Sequence, residues 1–290
     1  MLNHKIDFSV IITATNANPN GDPLNGNRPR EAFDGCGEIS DVCIKRKIRN
    51  RLQDMGEKIF VQSDDRCDDE CDSLHARVGQ NEKIKEIIKG KNTDRNAFAK
   101  AACEEWIDVR SFGQVFAYSD ADKKKGEGVS VGVRGPVSIQ QAVSVSPVDI
   151  VSMQITKSVN GESGKASKSS DTMGMKHRVT FGMYVINGSI NCQLAEKTGF
   201  SDEDAEKIKE ALCTLFENDA SSARPEGSME VCRVYWWEHD CKTPKCSSAK
   251  IHRALKIELK DSVSVPRSFD DYEIKLDKID GIEPEIIDMM

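Results

Sequence analysis

The sequence predicts an α+β fold: a modified RRM or ferredoxin-like palm of βαββαβ order, carrying a helical insertion and a β-hairpin insertion. Three observations lead there. Ile6, Phe8, Val10 and Ile12 alternate as one face of a strand. Ile44, Ile48 and Leu52 then recur at helical spacing in a segment that opens at Ser40. Val179, Phe181, Met183 and Val185 alternate again, and a second helical pattern and a further strand follow over 201–218 and 229–237.

The first strand, 6–14, runs into Asn16–Arg30, a stretch rich in Asn, Gly and Pro that neither continues a strand nor starts a helix. Asn16, Asn18 and Asn20, with Gly21 after them, have the spacing of a calcium loop, but Asn27 stands where that loop needs a bidentate Glu. An ordered turn is the other reading. In the helix over 40–54, Val42, Ile44, Ile48, Leu52 and Met55 form the apolar stripe, and Lys45, Arg46 and Arg49 lie off it. A basic helix face is ordinarily a solvated face. Following a polar loop that carries Arg28 and Arg30, it is also a way to build a polyanion site.

Residues 56–128 form the first insertion, mostly helical over 80–90 and 94–106, with an acidic cluster at Asp64–Asp72 and a basic run at Lys123, Lys124 and Lys125. Strands are expected over 129–139, 142–151 and 178–187. Ser201, with Glu203, Asp204 and Glu206 behind it, starts the helix over 201–218, and its apolar set is a core face. Strands at 229–237 and 254–260 precede an acidic tail, 268–290, that holds eight acids against Lys275 and Lys278. The second insertion, 152–177, has hairpin-turn chemistry at Asn160-Gly161 and is dominated by Lys, Ser, Gly and Met. Such a segment cannot repay its ordering entropy with its own core, so it is expected to project and order on a partner.

At 290 residues the chain can bury a substantial core, and we read it as a single domain spanning 1–290. No apolar run is long enough to span a bilayer and the start lacks a signal peptide's apolar core, so a cytoplasmic protein with free thiols among its ten cysteines is expected. Cys67, Cys71 and His75 recur every four residues, and His239, Cys241, Cys246 and His252 lie close together; neither set has a CxxC knuckle, and no metal or other cofactor is expected. A net charge of −7 speaks against nucleic acid only until its distribution is considered. Acids concentrate at 64–72 and 268–290, and positive charge concentrates at 45–51, 123–125 and 165–178. A polyanion responds to the local patch, because screening removes fields beyond about 8–10 Å.

An ordered set of stretches resembles a known family: Asn20-Gly21-Asp22-Pro23 with Asn27-Arg28-Pro29-Arg30, Ser40–Arg49, Asp108-Val109-Arg110-Ser111-Phe112-Gly113, Arg134-Gly135-Pro136-Val137, Thr172–His177, Thr198-Gly199-Phe200 and Ala220–Arg224. The chain is similar to the CRISPR-associated backbone subunit of Cascade, the seventh Cas family, in its subtype I-C form. The resemblance implies an RRM palm, fingers at 56–128 and a thumb at 152–177. It also implies copies stacked along a CRISPR RNA, with each thumb folded over RNA held by its neighbour. Implied partners are CRISPR RNA, target DNA through the guide, further copies of the chain, and the large, small and RNA 5′-end-capping subunits of Cascade.

The residues implied or suggested for RNA are Asn18, Asn20, Arg28, Lys45, Arg46, Arg49, Arg110, Met173, Lys176, His177 and Arg224, with Lys123, Lys124 and Lys125 for target DNA or the next copy. Phe181 and Tyr184 are the Tyr or Phe side chains of the central strand, which lacks the aromatic pair of an ordinary RRM, so backbone grip replaces base stacking. A non-catalytic guide holder is one functional class. A metal-dependent ribonuclease using Asp22 or Asp34 is the other, although no His/His or His/Lys pair accompanies either carboxylate.

Overall fold

The computed structural model describes residues 1–88, 94–118, 129–156, 173–244 and 246–290. In chain order the strands and helices are β1 (Ile6–Ala17), β2 (Gly21–Asp22), β3 (Arg28–Pro29), β4 (Cys36–Ile39), α1 (Asp41–Asp54), α2 (Leu74–Gln80), α3 (Glu82–Ile88), α4 (Arg95–Glu105), α5 (Ile107–Phe112), β5 (Gly113–Tyr118), β6 (Val129–Arg134), β7 (Val137–Ile139), β8 (Ala142–Pro147) and β9 (Ile150–Thr156). They continue as β10 (Met173–Ile190), α6 (Cys192–Thr198), α7 (Asp202–Cys213), β11 (Met229–Glu238), α8 (Ser248–Ala254), β12 (Leu255–Leu259), β13 (Tyr272–Leu276) and β14 (Glu285–Asp288).

The palm is an antiparallel sheet in the order β14-β11-β1-β10-β8-β4. Within it, β11-β1-β10-β8 is the 4-1-3-2 arrangement of a βαββαβ unit whose helices are α1 and α7. β1 is buried on both faces. Phe8, Val10 and Ile12 pack with Ile44, Ile48 and Leu52 of α1 and with Ile208 and Leu212 of α7. On the other face Ile11, Phe181, Met183, Tyr235 and Trp237 lie beneath Ile251 of α8 and Tyr272 of β13. Fully burying one such side chain contributes about 1.5–3 kcal/mol, so neither covering layer is incidental. The sheet face that an RRM offers to RNA is therefore occupied: Phe181 is 6% exposed and Tyr184 is buried on the opposite, helix-covered side.

The structure departs from the sequence reading in several places. The alternation of Val129, Val131 and Val133 is a strand, but β6 pairs with β5 from the finger, and Val137–Ile139 alone of that stretch joins the palm. Phe116 and Val131 of this hairpin complete a finger core with Phe60, Phe98 and Trp106, whose rings meet Phe60 or Phe116 at 4.7–5.1 Å. Gly113 enters the hairpin at φ +79, where a Cβ would stand 2.4 Å from the Val133 carbonyl oxygen.

Val42 is 67% exposed instead of belonging to the α1 stripe; Lys47, only 5% exposed, takes its place at three residues from Ile44. The residues read as an acidic tail are built into the fold, with β13 paired to β12 and β14 added to β11 as an edge strand. Their acids find partners, as Asp288 does with Arg233 at 2.7 Å and Glu285 with Lys209 at 3.0 Å. Finally, β10 is longer than expected: its first half leaves the palm and pairs with β9 from Met173↔Thr156 to Val179↔Ile150, the stem of the expected thumb.

Candidate nucleic-acid interface

The loop after β1 is held in shape by the side chains that made it stand out. Asn18 is 4% exposed; its backbone N–H donates to the Ala223 carbonyl at 2.9 Å and its side-chain amide to the Asn27 carbonyl at 2.7 Å. Asn20 Oδ1 accepts from both the backbone N–H and the hydroxyl of Ser40, each at 2.9 Å, and so fastens the loop to the start of α1. Between them β2 and β3 form a small hairpin, crossed at Gly26 and Asn27 with positive φ. Gly21 packs closely there: a Cβ would lie 2.0 Å from the Asn27 side chain and displace it. Two large apolar side chains stand out of this region into solvent, Leu24 and Phe33, the latter without any cover from the chain.

The loop carboxylates have local partners. Asp22 accepts from the Leu24 N–H at 3.2 Å and meets Arg30 at 3.4 Å, and Asp34 accepts from the Cys36 N–H at 3.0 Å. Both are turn-capping arrangements. Among the described residues no group of three His, Cys, Asp or Glu converges as a metal site. Cys67, Cys71 and His75 share no helical face, because α2 begins only at Leu74.

The cations of α1 are tied inward. Lys45 meets Asp41 at 2.9 Å one turn back. Arg46 donates to the Val61 carbonyl at 2.6 Å; burial and the neighbouring Arg49 both lower its pKa. Lys47 pairs with Asp219, which also accepts from Arg224 Nε at 2.9 Å. Burial lowers the Lys47 pKa, against the pull of Asp219. Arg49 Nε donates at 2.9 Å to Asp108, itself 1% exposed and also accepting from the Phe60 and Val61 N–H groups at 2.7 and 3.1 Å. Arg110 donates to both Asp204 oxygens at 2.8–3.1 Å and to the Cys103 carbonyl at 3.2 Å.

Arg49, Asp108, Arg110 and Asp204 thus weld finger to palm and α7. The Asp108–Gly113 stretch has a structural task, whatever else it touches.

The thumb stem brings two expected residues together. Arg28 Nη1 donates to the Ser152 hydroxyl at 3.2 Å, and Ser152 Oγ lies 2.8 Å from His177 Nδ1, its cross-strand neighbour. Met173, Met175 and Gln154 continue the His177 face of the stem, and Lys176, Arg178, Met153 and Ile155 occupy the other. Met173 and Met175 are each 55% exposed and Ile155 48%. Lys123, Lys124 and Lys125 lie outside the described residues, as do Lys165 and Lys168. Sequence reasoning missed Ser152, which carries no distinctive pattern. It also missed Lys47, although its helical phase with Ile44 and Ile48 pointed inward.

The family described as CRISPR-associated protein Cas7 matches residues 4–277. A CRISPR-associated protein Cas7 from Haloferax volcanii is 26% identical over 233 residues, a match covering 76% of this chain and 66% of that protein. The chain thus spans just under two thirds of that relative's length. Among solved structures, a chain of a CRISPR RNA-guided surveillance complex, pre-nicking, is 16% identical with a TM-score of 0.47, covering 85% of this chain and 81% of that one. A chain of another CRISPR RNA-guided surveillance complex is 16% identical with a TM-score of 0.41, covering 83% and 72%.

Proposed function

The chain belongs to the CRISPR-associated Cas7 family, and from that premise we propose that it is a non-catalytic, CRISPR RNA-binding backbone subunit of a subtype I-C Cascade effector. Copies assemble along the guide spacer and leave its base edges free to pair with target DNA. One observation carries the reading: the RRM face of the sheet is filled by α8 and β13, while loop 18–36 and the thumb stem meet at an exposed surface of Arg, His and apolar side chains. A protein built this way grips RNA by its backbone and by shape and does not stack bases on a sheet. That suits a guide holder, which must accept every spacer sequence. The large, small and RNA 5′-end-capping subunits are the partners this role calls for.

The purified chain is expected to carry RNA of repeat-derived sequence, and its assemblies should lengthen in step with the RNA supplied. RNA-free protein that assembles identically would overturn the scaffold reading. The ribonuclease alternative is tested by incubating the assembly with complementary RNA and Mg²⁺. Evenly spaced cuts that vanish in Asp22→Ala or Asp34→Ala would replace the non-catalytic reading with a catalytic one.

A further inference from the structure

We propose that Arg28, Ser152 and His177 form one phosphate clamp at the root of the thumb, in which Ser152 is a positioning residue that aims the other two. The inference rests on the RNA-binding reading and adds which atoms hold the backbone.

Three separate segments converge: Arg28 from β3, Ser152 from β9 and His177 from β10. Ser152 and His177 are register partners across the stem, so their separation is fixed by the ladder and not by loop conformation. The Ser152 oxygen accepts the Arg28 Nη1–H at 3.2 Å and lies 2.8 Å from His177 Nδ1, so the hydroxyl proton is free to be donated to that nitrogen. A ring that accepts at Nδ1 carries its neutral-state proton on Nε2.

The clamp therefore offers two kinds of donor, the remaining guanidinium N–H groups and one imidazole N–H, on a surface where Arg28 is 31% exposed. Guanidinium forks suit phosphate oxygens, and the nearby carboxylate, Glu31 at 3.7 Å, is too distant and exposed to satisfy Arg28. Arg30 forms a surface pair of the same kind with Asp22 at 3.4 Å, whereas Arg49, Arg110 and Arg224 are engaged with the more buried Asp108, Asp204 and Asp219. Met175 stands two residues along the same stem face from His177 and is 55% exposed, so a nucleotide held by its phosphate at the clamp has an apolar surface beside it for its base or sugar.

The test measures binding of the full chain to a uridine homopolymer, a mixed-sequence RNA and DNA of the same mixed sequence, across a salt series. Arg28→Ala, Ser152→Ala and His177→Asn should each weaken all three ligands about tenfold, and Arg28→Ala should reduce the slope of log K against log salt by about 0.7. Ser152→Thr keeps the hydroxyl, and His177→Gln keeps a donor near the Nε2 position; both should bind within about threefold of the parent chain. Because Ser152 acts through its neighbours, Ser152→Ala should add little once Arg28 and His177 are both Ala. Unfolding midpoints should not move, which separates aiming from folding.

If the parent chain binds RNA and Ser152→Ala binds equally well, or its loss persists in the double-alanine background, the clamp is wrong and the RNA-binding reading stands. Losses confined to one sequence would overturn the clamp in favour of base contact. No binding by the parent chain overturns both.

Discussion

Replacing Asp108 by Ala should cost a large share of the stability of this protein without touching an exposed surface. Asp108 is 1% exposed and accepts three hydrogen bonds, from the Phe60 N–H at 2.7 Å, the Val61 N–H at 3.1 Å and Arg49 Nε at 2.9 Å. Alanine leaves two backbone donors without a partner, at about 1–3 kcal/mol for each donor that water cannot reach. It also leaves Arg49, whose side chain is 12% exposed, beside no anion; removing one member of a buried pair costs about 3–5 kcal/mol. The two losses overlap, because Arg49 can shift toward water and its contact with the Phe112 ring. A net loss of roughly 4–6 kcal/mol is expected, against the roughly 5–15 kcal/mol that holds a typical domain.

Asp108→Asn keeps one acceptor oxygen and should lose roughly half as much. Urea unfolding followed by tryptophan fluorescence and circular dichroism reads the effect. Trp106 in the finger and Trp236 in the palm sit in separate cores, so a weld that fails should split one transition into two. A loss below about 1 kcal/mol with a single transition would refute the assignment of Asp108 as the finger–palm joint.

Three further outcomes follow from the structure. Burial pushes the Asp204 carboxyl up, but its bonds from Arg110 and from the Ser201 N–H outweigh that and hold it below the ordinary carboxylate value. Its stabilising contribution is then complete above about pH 4 and lost as pH falls through the folded value, so Asp204→Asn should flatten the acid limb of the stability–pH curve below about pH 4; an unchanged limb would contradict it. Phe33→Ala should leave the unfolding midpoint within about 0.5 kcal/mol of the parent, since nothing in the chain covers that ring, yet weaken RNA-driven assembly measured by light scattering; unaltered assembly would assign Phe33 no interface role. Burial pushes the Cys103 and Cys232 thiols up to about 11, whereas Cys67 is exposed. Iodoacetamide at neutral pH, followed by peptide mass mapping, should modify Cys67 in the folded chain and reach Cys103 and Cys232 only after unfolding; early labelling of either buried thiol would contradict this.

Local periodicity was enough to place β1, α1, α7 and β11, because α1 and α7 each bury one apolar stripe against the sheet and the two strands are apolar enough on either face to stand out as extended runs. The capping residue Ser201 was legible for a similar reason: a helix start satisfies its donors within three residues, a distance the sequence displays directly. The thumb stem was legible from composition and from the family stretches. What the sequence left open were decisions made between residues far apart in the chain. Whether Val129–Arg134 joins the palm or the finger depends on β5, whose six residues show too little alternation to announce a strand.

Whether the 268–290 acids repel or pair depends on Arg233 and Lys209, brought to them by an added edge strand. The largest revision concerns the arginines. Spacing identifies a charged face, but a guanidinium reaches several ångströms in any direction, and its partner is chosen by packing. Tertiary structure alone turned Arg49 and Arg110 toward buried carboxylates and left Arg28 beside Ser152 and His177, at a surface open to a ligand.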